Sequence, residues 1–163
     1  MKRTVIILSL IFALVIALSV SIPTLALDDT ETTVITGTVP LSINITAHPG
    51  DFDLGTLTLD TQIQSGDKTV SVKCNKAGWT LTVAETSGDG FMANGSTPLT
   101  EPLYVKGGHL SETYTGLNTS PSLETSGAKG TVDITDIEFA QTSRDADTAG
   151  IYTITVTFTA TIN

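Results

Sequence analysis

Apolar and polar positions alternate most clearly at the end of the chain. Tyr152, Ile154, Val156, Phe158, Ala160 and Ile162 occupy one set of positions, and Thr153, Thr155, Thr157, Thr159 and Thr161 the other. Successive side chains of a strand point to opposite faces. Residues 152–162 therefore predict a strand with one face on a core and a Thr face toward solvent or a partner. Val70, Val72 and Cys74 alternate in the same way, as do Trp79, Leu81 and Val83 after the loop Asn75-Lys76-Ala77-Gly78. These two runs predict an antiparallel hairpin with a shared inner face. Residues 34–46 are extended, with Leu41, Ile43 and Ile45 on one face, and Pro40 makes them an edge strand or two half-strands. The turn His48-Pro49-Gly50-Asp51 leads into Phe52, Leu54, Leu57 and Leu59, with a bulge expected at Gly55. Residues 103–105, 110–114 and 132–139 read as further short strands, and a change of phase in the last places a bulge near Asp136. Residues 85–99 are rich in Gly, Ser and Asn and read as loop. No run has the apolar spacing of an amphipathic helix. The pattern is all-β: an antiparallel sandwich of the immunoglobulin-like kind, with about seven to ten strands.

The first residues break this pattern. Met1-Lys2-Arg3 is a short positive start, residues 4–22 are apolar apart from Ser and Thr, and Pro23 and Thr24-Leu25-Ala26 close the run. This is the layout of a secretory signal peptide over residues 1–26, followed by a sandwich domain over 27–163. The alternative is a retained anchor, because about 19 apolar residues can span a bilayer. Cleavage leaves no stable membrane span and implies a secreted product, extracellular or associated with the cell wall.

Composition sharpens this reading. Thr accounts for 30 of 163 residues, and β-branched Thr favours a pleated surface. Seventeen acids face eight bases, for a net charge of −9. Lys2 and Arg3 leave with the signal, so six bases remain and the net charge becomes −11. Such a chain is no partner for nucleic acid. The single Cys excludes an internal disulfide and a Cys-based zinc site.

The candidate chemistry is sparse. Trp79 reads as the filler of the sandwich centre, with sugar stacking at a surface as its functional alternative. Tyr152, after Asp147-Thr148-Ala149-Gly150-Ile151, reads as a structural corner whose hydroxyl bonds back to the upstream backbone. Cys74 shares a face with Val70 and Val72 and reads as a buried thiol. His48 and His109 have no His or Cys partner at metal-ligand spacing. Asp145-Ala146-Asp147 and Asp51-Phe52-Asp53 lack the spacing of an EF-hand loop and read as solvated acids. There is no Gly-x-Ser-x-Gly elbow and no His-Glu-x-x-His, so no enzyme, cofactor or metal is expected. Asn94 and Asn118, and Asn44 on the first strand, lie in glycosylation sequons.

Phe52-Asp53-Leu54-Gly55-Thr56, then Val70-Ser71-Val72, then Gly78-Trp79-Thr80-Leu81-Thr82-Val83 resembles the WxL domain. That family comprises exported β-rich domains of Gram-positive bacteria that attach non-covalently to the cell wall. Trp79 and Leu81 match its first Trp-x-Leu motif. Ala149-Gly150-Ile151-Tyr152 matches the start of its closing strand, where Phe158-Thr159-Ala160 stands in place of the second motif. The resemblance implies a non-catalytic surface domain held to an envelope polymer or to other surface proteins. The residues also support a second reading, a pilin-like or matrix fibre subunit that self-assembles by strand exchange. Residues 28–38 would be the donor, and the groove beside the long last strand the acceptor.

Overall fold

The computed structural model describes residues 32–86 and 89–163. The expected signal peptide and the first residues of the expected donor segment lie outside them. Contacts divide the chain into one unit over Met1–Thr38 and a second over Val39–Asn163. The described residues of the first unit, 32–38, are exposed and form no regular secondary structure.

The second unit is all-β and antiparallel, with no α-helix among its described residues. Its long strands are β1 (Ile43–Ala47), β3 (Lys68–Cys74), β4 (Trp79–Glu85), β9 (Ser122–Gly127), β10 (Gly130–Thr142) and β11 (Val156–Ile162). The short ones are β2 (Gln62–Gln64), β5 (Ala93–Asn94), β6 (Thr97–Pro98), β7 (Tyr104–Lys106) and β8 (Thr115–Gly116). One sheet has the order β1-β3-β10-β7-β8, with β2 also paired to β10. The second has the order β11-β4-β9, and β5 and β6 form a small hairpin. The described residues contain no helix long and apolar enough to cross a membrane.

The core lies between the two sheets. Val70 and Val72 of β3 and Ile134, Ile137 and Phe139 of β10 meet Trp79, Leu81 and Val83 of β4 and Leu123 of β9. All are buried, and period-two alternation delivers each of them to the inner face. Trp79 is completely enclosed, and its indole Nε1 donates to the Ala128 carbonyl at 2.8 Å.

Several expectations change. β3 and β4 do not form a hairpin. β3 pairs with β1 and β10, and β4 with β11 and β9, so residues 75–78 carry the chain from one sheet to the other. The two apolar runs do share the core, but they face each other across it. Alternation identifies the buried face of a strand and says nothing about its neighbour. The first strand is only Ile43–Ala47, and residues 32–42 lie outside any strand. Residues 48–58 are irregular, with a single bridge from Leu59 to Ser143, so Gly55 marks no bulge. Residues 108–110 make a 3₁₀ turn where a strand over 110–114 was expected. Residues 85–99 contain the β5–β6 hairpin. The register of β10 against β3 does shift between Ile134 and Ile137, with Asp136 at φ 58°.

Candidate functional site

The closing strand has one partnered edge. β11 pairs with β4 from Val156 opposite Glu85 to Ile162 opposite Trp79. β1, the edge of the other sheet, pairs with β3. Neither has a second ladder partner among the described residues. These two edges lie along the same side of the sandwich and approach each other, and a groove opens between the irregular segment after β1, residues 48–59, and residues 147–158 at the start of the closing strand.

The inner side chains report the same opening. On β4, Trp79, Leu81 and Val83 are fully buried. On β11, the residues of the same face, Val156, Phe158, Ala160 and Ile162, are only half-buried. Ile43 and Ile45 of β1 are half-buried as well. A completed sandwich would bury all of them; here the inner face of the closing strand stays open, and Val156 and Phe158 border a cavity.

Two cavities, of about 470 and 680 Å³, follow one another along the groove. Phe52, Leu54, Met92 and Tyr152 line both. The first continues along Ile154, Val156 and Phe158, and the second reaches Leu59 and Ile151. Ile151 is 84% exposed and Leu59 54%. The floor is built by Phe52, which stands edge-on to buried Phe139 with ring centroids 4.6 Å apart. Lys68 Nζ lies 4.6 Å from the Phe52 centroid and donates to the Asp51 carbonyl, which fixes the irregular segment on the sheet.

The two ends of the groove differ. At one end, here the turn end, lie Ile43, residues 74–79, residues 127–130 and Ile162, all brought together by strand register. Asn75 clamps the chain that enters β1: its Oδ1 accepts from Ser42 N–H at 2.9 Å, and its Nδ2 donates to the Pro40 carbonyl at 2.7 Å. At the other end, the mouth, Tyr152 donates from its hydroxyl to the Thr148 carbonyl at 2.7 Å. Arg144 joins Asp60 at 3.0 Å to Glu101 at 3.2 Å. Asp147 accepts from the N–H and hydroxyl of Thr100 and from Arg144 N–H. Burial pushes the Asp147 carboxyl up, but these bonds outweigh it and hold the group below its usual range.

The sequence-derived residues fall in different places. Tyr152 and Phe158 line the groove, while Trp79 and Leu81 are enclosed in the core with no surface to offer a ligand. Cys74 is buried and free. Asn44, Asn94 and Asn118 are exposed. His48 is exposed, and its Nδ1 accepts from Gly50 N–H. No group of three potential metal ligands occurs among the described residues. Asn75, Met92 and the floor role of Phe52 were not singled out. For Phe52, the alternation with Leu54 after a Pro-Gly turn carried a signal; for Met92 nothing local did.

No family model matches this sequence, and no curated protein matches it. Solved structures do. A structure of a chaperone–usher pilus matches at a TM-score of 0.50 with 14% identity, over 86% of this chain and 99% of that one. The P pilus rod subunit PapA matches at 0.35 with 13% identity, over 83% of this chain and all of that one. A complex of chaperone and tip adhesion subunit from the Csu pili of Acinetobacter baumannii matches at 0.45 with 18% identity, over 77% of this chain. This chain spans 40% of the length of the chain it matches there. The first of these likenesses shows a shared fold: an antiparallel, immunoglobulin-like sandwich of the kind found in a pilus subunit.

Proposed function

We propose that this chain is an exported, non-catalytic subunit of a surface fibre, and that copies join when the N-terminal arm of one fills the groove of the next. The observation that carries this reading is the half-buried inner face of β11 beside an unpartnered strand edge. An extended segment laid there would gain backbone hydrogen bonds from the edge and bury alternate side chains in the lining. The arm has suitable residues. Ile35 and Val39 are 92% and 84% exposed, and Leu41 is 66% exposed.

Direction favours a second copy. β11 runs from the mouth to the turn end, and the arm joins the sandwich at Pro40, at the turn end. An arm folded back into its own groove would have to reverse at Pro40 and lie parallel to β11. An arm from another copy can enter antiparallel, the more stable pairing per residue. Attachment to a wall polymer, WxL-like, is the competing reading; the burial of Trp79 and Leu81 gives a polymer nothing to touch at that motif.

Electron microscopy and sedimentation of the chain with and without residues 27–38 test the proposal. Fibres from the first and monomers from the second are the expected result. Monomers from both at high concentration, with pelleting on purified wall polymer, would replace this reading with the competing one.

A further inference from the structure

We propose that the basic turn end of the sandwich, carried by Lys73, Lys76 and Lys129, receives the acidic start of a second copy's arm, Asp28, Asp29 and Glu31, and so sets the direction and register of the arm in the groove. This inference rests on the strand-donation reading above and adds a recognition step to it.

Charge is divided between the two ends. Lys73, Lys76 and Lys129 are exposed, and strand register brings them to the turn end. Lys76 lies against the end of the last strand, where its Nζ donates to the Asn163 carbonyl. Residues 73–79, 126–131 and 160–163, which build this end, contain no Asp or Glu. The mouth is the reverse. Asp51, Asp53 and Asp147 line its cavities and Asp145 lies two residues from Asp147, while of its two bases Arg144 is already paired with Asp60 and Glu101 and Lys68 is held by the Asp51 carbonyl and the Phe52 ring.

The arm is also polarised. Residues 27–41 carry three acids, all within the first five positions, and no base. The cavity runs along the closing strand as far as Phe158, the half-buried Ala160 and Ile162 continue the same face along its unpartnered edge, and Tyr152 to Ile162 is eleven residues. In an antiparallel seating, the phase that turns Ile35, Val39 and Leu41 inward sets Leu41 opposite Tyr152 and Glu31 opposite Ile162. Asp28 and Asp29 then fall just past the end of β11, on the side of Lys76 and Lys129. A parallel seating of the same segment brings the three acids to the mouth, among Asp51, Asp145 and Asp147. Opposite charges within a Debye length of about 8–10 Å attract and like charges repel, so one charge pattern both favours the antiparallel arm and rejects the parallel one. A one-residue slip is opposed by burial, since it turns Ile35, Val39 and Leu41 outward and brings in only Val34 and Pro40. A slip of two residues or more keeps the apolar face inward and is opposed by the displaced acids.

A fluorescein-labelled peptide of residues 27–41, followed by fluorescence polarisation on the whole chain, tests the inference. The wild-type peptide should bind, and binding should weaken with salt. The peptide carrying D28K, D29K and E31K should bind about tenfold more weakly, as expected for the loss of three exposed pairs. It should recover on a chain carrying K73E, K76E and K129E whose melting temperature is unchanged. If that chain does not fold, the reversed peptide on the wild-type chain and the salt series decide. Equal affinity of the two peptides, with no salt dependence, overturns the electrostatic recognition and leaves strand donation standing. Absence of binding by either peptide overturns both.

Discussion

Trp79 and Gly127 sit opposite each other in adjacent strands, and a Cβ at position 127 would lie 2.0 Å from Trp79 Cε2. The indole occupies the volume that any other residue at 127 would need. Gly127→Ala therefore has to displace a fully buried ring, and overpacking of this kind costs about 1–3 kcal/mol or more. Trp79→Ala should cost about 3–5 kcal/mol through loss of the buried ring. Urea denaturation of the two variants checks both values. A Gly127→Ala chain as stable as the wild type would mean that the ring has room to move.

Phe158 and Val83 are neighbours in register, one lining the groove and one inside the core. Phe158→Ala should cost the isolated chain less than the roughly 3–5 kcal/mol of a fully buried phenylalanine, and should weaken binding of the arm peptide more than tenfold. Val83→Ala should do the opposite: it should lower the melting temperature and leave peptide binding in the folded fraction intact. Thermal melts and polarisation titrations of the two variants separate these effects.

Glu138 provides a pH-sensitive point on β10. Burial pushes its carboxyl up, but hydrogen bonds from Tyr114 and Asp67 and the charge of Lys106, 3.4 Å away, outweigh burial and hold it below 4.5. A carboxyl lowered in the folded state adds stability above its unfolded pKa, and that stability is lost as pH falls through the folded value. Asp67 has the opposite sign. Its bond to Glu138 raises it, so its contribution is present below 3.8 and fades as pH rises through the raised value. Tyr114→Phe removes a donor from Glu138 and should move the midpoint of acid unfolding to higher pH. The same substitution should also remove an alkaline limb. Burial and the bond to Glu138 push the Tyr114 hydroxyl up to about 12, so its contribution is complete below 10 and lost between 10 and 12. Circular dichroism across both limbs reads the two shifts.

Asp147 holds three donors from Thr100 and Arg144 at the mouth of the groove. Asp147→Ala removes the acceptor of exposed donors that water can then satisfy, and should cost about 0.5–1.5 kcal/mol at neutral pH. The carboxyl is lowered in the fold, so the difference from the wild type should shrink as pH falls below 3.8. A pH series of urea midpoints for the two chains tests the sign.

The buried faces were the most legible part of the fold. The even positions of 154–162, and Val70, Val72, Trp79, Leu81 and Val83, all turn inward as their alternation demands. Pairing was less legible. The Asn75–Gly78 segment has the composition of a hairpin loop but joins two sheets, because side-chain period carries no information on which edge meets which. β9 is not among the strands predicted above, since Ser-Leu-Glu-Thr-Ser-Gly holds one large apolar residue and only Leu123 and Gly127 of it are buried. The groove was legible as one half. An apolar face on the last strand could be read from its residues, but whether a neighbour covers that face depends on the partners of both edges, and those are set by contacts distant in sequence.

The Asn75 clamp on Pro40 and Ser42 has a mechanical consequence. A pull on the arm along the strand axis reaches the sandwich at Pro40 and passes through Asn75 into β3, while β1 continues from the same point along its ladder with β3. The load therefore shears the β1–β3 hydrogen bonds together, and does not peel them one at a time. With β3 bound on its other side to the thirteen-residue β10, the force spreads into the longest strand among the described residues. The anchor of the arm is built to resist tension along its length and to yield to a sideways pull.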